Sequence, residues 1–296
     1  KFIIFIINRI SFGNSINWNY LRKKKIQNLF INYSAYTEIN QSKNFNSEYW
    51  KEMIKDKELM KNTLWLNIYS MNKKFSYRNF LKYQSFINKN NNYYIYSLEQ
   101  LLNLKNFIKI LICWFKNCYS YILVGKQIKH YLSLNKFDYL DKFILNDFKI
   151  SFLGVDSLIN FYYFYLFKNL ASKELNNKNI FYLFENQSWE KSLVYNFKGK
   201  VKTIAVNHAS IRYWDLRFSR DEKCEIKVIP DIYAVNGEDS KKKLLDESYP
   251  LEKISKVEAL RYFHTSAKIN KNQYVSEKNN ILLVSDYSDK SNLNLL

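Results

Sequence analysis

Seven short apolar runs, rich in β-branched and aromatic residues and separated by longer helical stretches, narrow the possible folds more than any other feature. They fall at residues 2–7 (FIIFII), 63–69 (TLWLNIY), 93–96 (YYIY), 180–185 (IFYLFE), 203–207 (TIAVN), 232–235 (IYAV) and 257–260 (VEAL). A strand reads as near-continuous apolarity when both faces of its sheet are covered. Strands separated by helices form β-α-β units and a parallel sheet. The pattern predicts an α/β fold: a doubly wound, mostly parallel, Rossmann-like sheet with helices on both faces. This domain is expected over residues 1–270, followed by a polar linker at 271–280 (KNQYVSEKNN) and a fresh strand within 281–296 (ILLVS). The chain opens at Lys1 and runs about ten residues past that strand. A native N-terminus and the body of a second α/β domain are therefore expected outside it.

Residues 97–173 read as helical, with Leu101, Leu102, Leu104, Ile108, Leu111 and Ile112 at helix-like spacing. The stretch 107–124 is long enough to cross a bilayer, but Lys109 and Lys116 interrupt it and favour a buried amphipathic helix. Residues 161–166 (FYYFYL) read as the face of a core helix. Cys113 and Cys118 fall in this apolar region and are expected in the core, with Cys224 elsewhere. Three irregularly spaced cysteines make neither a disulfide scaffold nor a zinc site, so no metal is expected. The cysteine usage fits a reducing cytoplasm, and no secretion signal is recognisable at the start.

The net charge is +19, from 46 basic and 27 acidic residues. Lys, Asn, Ile, Tyr and Phe are all encoded by A/T-rich codons, so part of the charge reflects composition. The functional alternative is attraction to anionic headgroups or phosphorylated substrates.

In a doubly wound sheet, ligands bind beyond the carboxyl ends of the strands. Three polar clusters fall at such ends. The first is 184–190 (FENQSWE), where Glu185 with Asn186 can take sugar hydroxyls or act as a base. Alternatively Glu185 favours the N-terminus of a helix opening near an N-cap at Ser188, with Trp189 in the core. The second is 207–217 (NHASIRYWDLR). His208 follows a strand directly and can move a proton near neutral pH. Arg212 and Arg217 can grip phosphate or carboxylate, and Trp214 offers a face to a sugar or to the core. Asp215 can orient His208 or pair with an arginine. The third is Asn236-Gly237, either a tight turn into the helix at 238–247 or an anion cradle. His130 and His264 have no such neighbours. Walker A, GxGxxG, HExxH, GxSxG and CxxC patterns are absent, which weakens nucleotidase, dehydrogenase, protease and hydrolase readings.

Four blocks in order, 182–195 (YLFENQSWEKSLVY), 206–218 (VNHASIRYWDLRF), 230–250 (PDIYAVNGEDSKKKLLDESYP) and 257–262 (VEALRY), resemble the family of surface carbohydrate biosynthesis proteins. That family is similar to GT-B glycosyltransferases. More loosely, 63–70 resembles an earlier strand of the family and 281–288 the strand that opens its second domain. The resemblance implies a bacterial cytoplasmic enzyme, peripheral to the inner membrane at most. It would move a sugar from a nucleotide-activated donor to a glycan or lipid-linked acceptor of lipopolysaccharide or capsule. No cofactor beyond the nucleotide-sugar co-substrate is implied. This chain would be the acceptor half, with the donor gripped by the second domain. On this reading Glu185 and His208 are the catalytic candidates. Asn186, Arg212, Trp214, Asp215, Arg217, Asn236 and Gly237 contact substrate. One rival is a non-catalytic binding or scaffold module of a glycan-assembly complex. A nucleic-acid-binding protein is disfavoured, because no Arg/Lys stripe or RNP-like motif accompanies the charge.

Overall fold

Alternate side chains of the strands feed two different cores, and that alternation builds the molecule. A computed structural model describes residues 16–24, 26–34, 37–39, 45–47, 49–69, 76–90, 94–135, 140–212, 215–220 and 228–259. The strands are β1 (Asn28–Tyr33), β2 (Thr37–Ile39), β3 (Phe45–Ser47), β4 (Thr63–Ile68), β5 (Tyr94–Ser97), β6 (Asn179–Leu183), β7 (Lys202–Val206), β8 (Ile232–Asn236) and β9 (Ile254–Val257). Seven of them form one sheet in the order β5-β4-β1-β6-β7-β8-β9, every neighbouring pair parallel. β2 and β3 make a separate antiparallel pair.

The helices are α1 (Trp18–Lys23), α2 (Lys51–Lys55), α3 (Lys57–Lys61), α4 (Tyr77–Asn90), α5 (Leu104–Asn135), α6 (Asp141–Leu153), α7 (Val155–Ala171), α8 (Ser188–Phe197) and α9 (Gly237–Asp246). On one face, Leu29, Ile31, Leu64, Leu66, Ile180, Tyr182, Ala205 and Val235 pack with residues of α1, α7, α8 and α9. On the other, Phe30, Trp65, Leu183, Val206 and Ala234 pack with side chains from α2, α3 and α4. The fold is therefore α/β, Rossmann-like and doubly wound. Residues 161–166 lie on α7, whose Tyr162 and Leu166 are buried in the first of these cores.

β1 carries the sheet, yet its six residues are missing from the seven runs read as strands. It pairs with β4 on one side and β6 on the other. Its sequence, NLFINY, follows Lys23-Lys24-Lys25 and holds two asparagines, which hides it among polar residues. The sheet accommodates Asn32 because its Nδ2 donates to Asn67 Oδ1 at 3.3 Å and to Ser47 Oγ at 3.4 Å. Phe30 is fully buried, stacked on Trp65 (4.4 Å) and Phe181 (4.7 Å) and edge-on to Trp50 (4.9 Å). The run at 257–260 is also displaced: β9 is Ile254–Val257. Residues 2–7, the linker, the strand at 281–285, Cys224 and His264 lie outside the described residues.

α5 departs from expectation. Its inner side is pinned, with Ile110 fully buried and Asn117 Nδ2 donating to Phe152 O (3.1 Å) and Ser157 Oγ (2.9 Å). Its outer side faces solvent, because α6 and α7 cover only one flank. Cys113 and Cys118 are half-buried between these helices rather than in the core.

Replacing Phe30 by Ala should cost about 3–5 kcal/mol, the usual range for deleting a fully packed aromatic. Urea unfolding checks this. A loss below about 1 kcal/mol would show that β1 is not the packing centre.

Candidate functional site

Numbered in chain order, the parallel strands run 3-2-1-4-5-6-7, so the order reverses between β1 and β6. In open α/β sheets the crevice beyond the carboxyl ends of the strands at such a reversal is the ligand position. β1 ends there at Tyr33 and β6 at Leu183, two residues before Glu185.

One buried carboxylate shapes the turn out of β6. Glu190, in the first turn of α8, is 3% exposed. Its Oε1 accepts the backbone N–H of Glu185 (2.9 Å) and of Gln187 (3.1 Å), and its Oε2 accepts that of Asn186 (3.1 Å). Wrapping the chain around these two oxygens puts Asn186 at φ +52°, a left-handed conformation that Asn tolerates better than most residues. The N-cap of α8 is Gln187, one residue before the expected Ser188. Burial pushes the Glu190 carboxyl up to about 8, against the pull of the three N–H groups.

Glu185 leaves this turn pointing at the end of β7. Its Oε1 lies 3.2 Å from His208 Nε2, and its Oε2 accepts from Gln187 Nε2. The Gln187 amide is itself fixed. Its Oε1 accepts from Tyr33 OH (3.4 Å) and from Trp189 Nε1 (3.1 Å), and Trp189 Nε1 also donates to Tyr33 OH (2.9 Å). A hydrogen-bonded chain thus runs from β1 through α8 to the imidazole. The bond from His208 holds the Glu185 carboxyl below its ordinary range, with Gln187 and the Arg217 charge acting in the same direction. Burial, followed by the charges of Glu185 and Glu190, raises Tyr33 well above the phenol range and keeps it protonated.

His208 is held on several sides. Tyr49 meets its ring edge-on at 4.5 Å. Its side chain is 10% exposed. Nε2 faces Glu185, while Nδ1 is buried without a hydrogen-bond partner among the described residues. A neutral imidazole donating from Nε2 to a carboxylate carries its basic lone pair on Nδ1.

Glu185, His208, Arg212, Asp215 and Arg217 all line one cleft of about 300 Å³, together with Tyr49, Asn207 and Phe218. Asp215 takes the arginine rather than the histidine: Arg217 Nε and Nη2 reach its two oxygens at 2.9 and 2.6 Å. That fork lowers the Asp215 carboxyl. Arg212 makes no ion pair among the described residues, which leaves its charge available to the cleft. Asn186 sits below, with Nδ2 donating to Arg217 O and to Tyr249 OH (3.2 Å), so it ties the 215–218 turn to the strand end. Asn236 stands behind the cleft, its Nδ2 3.5 Å from Asn207 Oδ1. Gly237 makes the strand-to-helix turn at φ +79°. Trp214 lies outside the described residues. No group of three or more His, Cys, Asp and Glu side chains placed to hold a metal occurs among the described residues.

Sequence reasoning missed Tyr49 and Glu190. Tyr49 arrives from a polar stretch before α2 that stands apart from the three strand-end clusters. Glu190 was legible: Gln187 and Glu190 have capping-box spacing, and such a Glu reaches back to N–H groups. Compared with protein-family models, curated proteins and solved structures, the chain matches none.

Between roughly pH 4.5 and 8 the folded state binds the Glu190 proton and the unfolded state does not, so stability should fall as pH rises through that window. Thermal unfolding from pH 5 to 9 should show the decline, and Glu190→Gln should flatten it. Glu190→Ala strands three N–H groups and should cost at least about 3 kcal/mol at any of these pH values. A variant pH profile parallel to that of the parent would contradict the assignment.

Proposed function

We propose that this chain is the acceptor-side half of a GT-B-type glycosyltransferase acting on a glycan or lipid-linked acceptor of a bacterial surface polysaccharide. The observation that carries the reading is the Glu185–His208 pair, fixed at the reversal of strand order with Nδ1 unpartnered and Arg212 in the same cleft. Sugar transfer needs a base for the acceptor hydroxyl and a cation for a phosphate, and the cleft offers one of each. The resemblance of residues 182–262 to surface carbohydrate biosynthesis proteins supports the same class.

In this mechanism acceptor binding uncovers the buried Nδ1 of His208, which takes the proton of the acceptor hydroxyl as its oxygen attacks the anomeric carbon of the donor. The donor's bond to the leaving nucleoside phosphate breaks as the new glycosidic bond forms. Glu185 is a positioning residue: it fixes the ring and stabilises the imidazolium that results. Arg212 holds an anionic group of the acceptor. Asn186 and the Asp215–Arg217 fork shape the wall rather than touch the reacting atoms. The nucleotide-sugar is a co-substrate rather than a resident cofactor.

The test is sugar transfer by the full-length protein, with a panel of radiolabelled nucleotide-sugars and membrane lipid extract as acceptor. His208→Ala should lower kcat by about 10²–10⁴-fold, the usual range for general-base help. Glu185→Gln should lower kcat less and change its pH profile, since the amide still accepts from Nε2 but supplies no charge. Arg212→Ala should raise KM for acceptor more than it lowers kcat. Parental turnover in His208→Ala would overturn the reading.

A further inference from the structure

α5 presents an apolar face that nothing in the described structure covers. Leu104, Ile108, Ile112, Phe115, Tyr119 and Ile122 recur every three or four residues along its outer side. Each is 49–63% exposed. Soluble proteins scatter single exposed apolar residues but rarely align six of them on one helix. The segment Leu104–Leu134 is long and apolar enough to cross a membrane, and only 6% of its most apolar window is buried.

Its charges are of one sign. Lys105, Lys109, Lys116, Lys126 and Lys129 are the only formally charged residues of α5, with no Asp or Glu among them. At 100° per residue, Lys105, Lys109 and Lys116 cluster within about 40° along one edge of the apolar stripe. Lys126 and Lys129 close its C-terminal end.

We propose that the outer face of α5 lies in the surface of an anionic lipid bilayer, with the helix in the membrane plane. Three occupants compete for this face, and charge and anchoring decide among them. A second copy would bring five lysines against five without compensating acids. A span across the bilayer would require α5 to leave its domain. That would tear out the fully buried Ile110 and break the two bonds of Asn117 to α6 and α7. An anionic surface takes the apolar stripe at the headgroup boundary and the lysines among the phosphates, as basic amphipathic helices do. This inference stands on α5 alone and is independent of the chemistry of the cleft.

The test is flotation of the whole chain with vesicles of phosphatidylcholine alone or mixed with phosphatidylglycerol. Binding should require phosphatidylglycerol and weaken as salt rises. Each lysine changed to Gln should weaken it roughly fivefold. Ile112→Glu with Phe115→Glu should reduce it at least about tenfold. Both residues are exposed, so the circular dichroism spectrum should be unchanged. No binding to the anionic vesicles, or binding indifferent to the double variant, would overturn the proposal. So would a dimer in sedimentation equilibrium that the double variant splits, because the face would then belong to a second copy.

Discussion

The carboxylate of Glu190 gathers three consecutive backbone N–H groups at the end of β6, and the geometry of the rim follows from it. A turn of this shape leaves three donors without partners in a buried place unless an acceptor is supplied. Glu190 supplies two oxygens from the first turn of the next helix. The chain is thereby bent so that the side chain of Glu185 leaves toward β7 and that of Asn186 toward Tyr249. A different acceptor would give a different turn and would not deliver a carboxylate to His208. The protein keeps an ionisable group in a dry site for this purpose, and burial raises its proton affinity as a result.

A second consequence concerns where β1 ends. Tyr33 stands at the reversal of strand order and joins Trp189 and Gln187 in one hydrogen-bonded chain that ends on Glu185. The sheet therefore positions the imidazole through its central strand as well as through β6 and β7. Rigid elements hold it on three sides, and the aromatic stack around Phe30 anchors β1 beneath. Arg212 and the Asp215–Arg217 fork come from the less regular segment after β7. Position there depends on local ties such as Asn186 to Arg217 O.

Strands that meet helices on both faces announce themselves by unbroken apolarity, which is why β4 through β8 were legible. β1 was not, because its Asn28 and Asn32 look like loop residues until the neighbouring Asn179 and Asn67 are known. Cross-strand pairing is invisible in a linear sequence. The polar clusters were legible as strand-end clusters, and Glu185, His208 and Arg212 do share a cleft. The division of labour was not, since Asp215 could serve either His208 or an arginine until the fork with Arg217 was seen. The burial of α5 was misjudged for a related reason. Spacing shows that a helix has an apolar face, but α5 has apolar residues on both sides. Which side the domain covers depends on how α6 and α7 return.

The most direct measurement of the whole arrangement is the protonation pattern of the His208 ring, read from nitrogen-15 shifts and their two-bond couplings to the ring carbons' hydrogens. In the neutral ring the proton is expected on Nε2 and the lone pair on Nδ1, with that preference lost when Glu185 is replaced by Ala. A neutral ring protonated on Nδ1, or one whose tautomer ignores Glu185, would mean that the turn built by Glu190 does not orient this histidine.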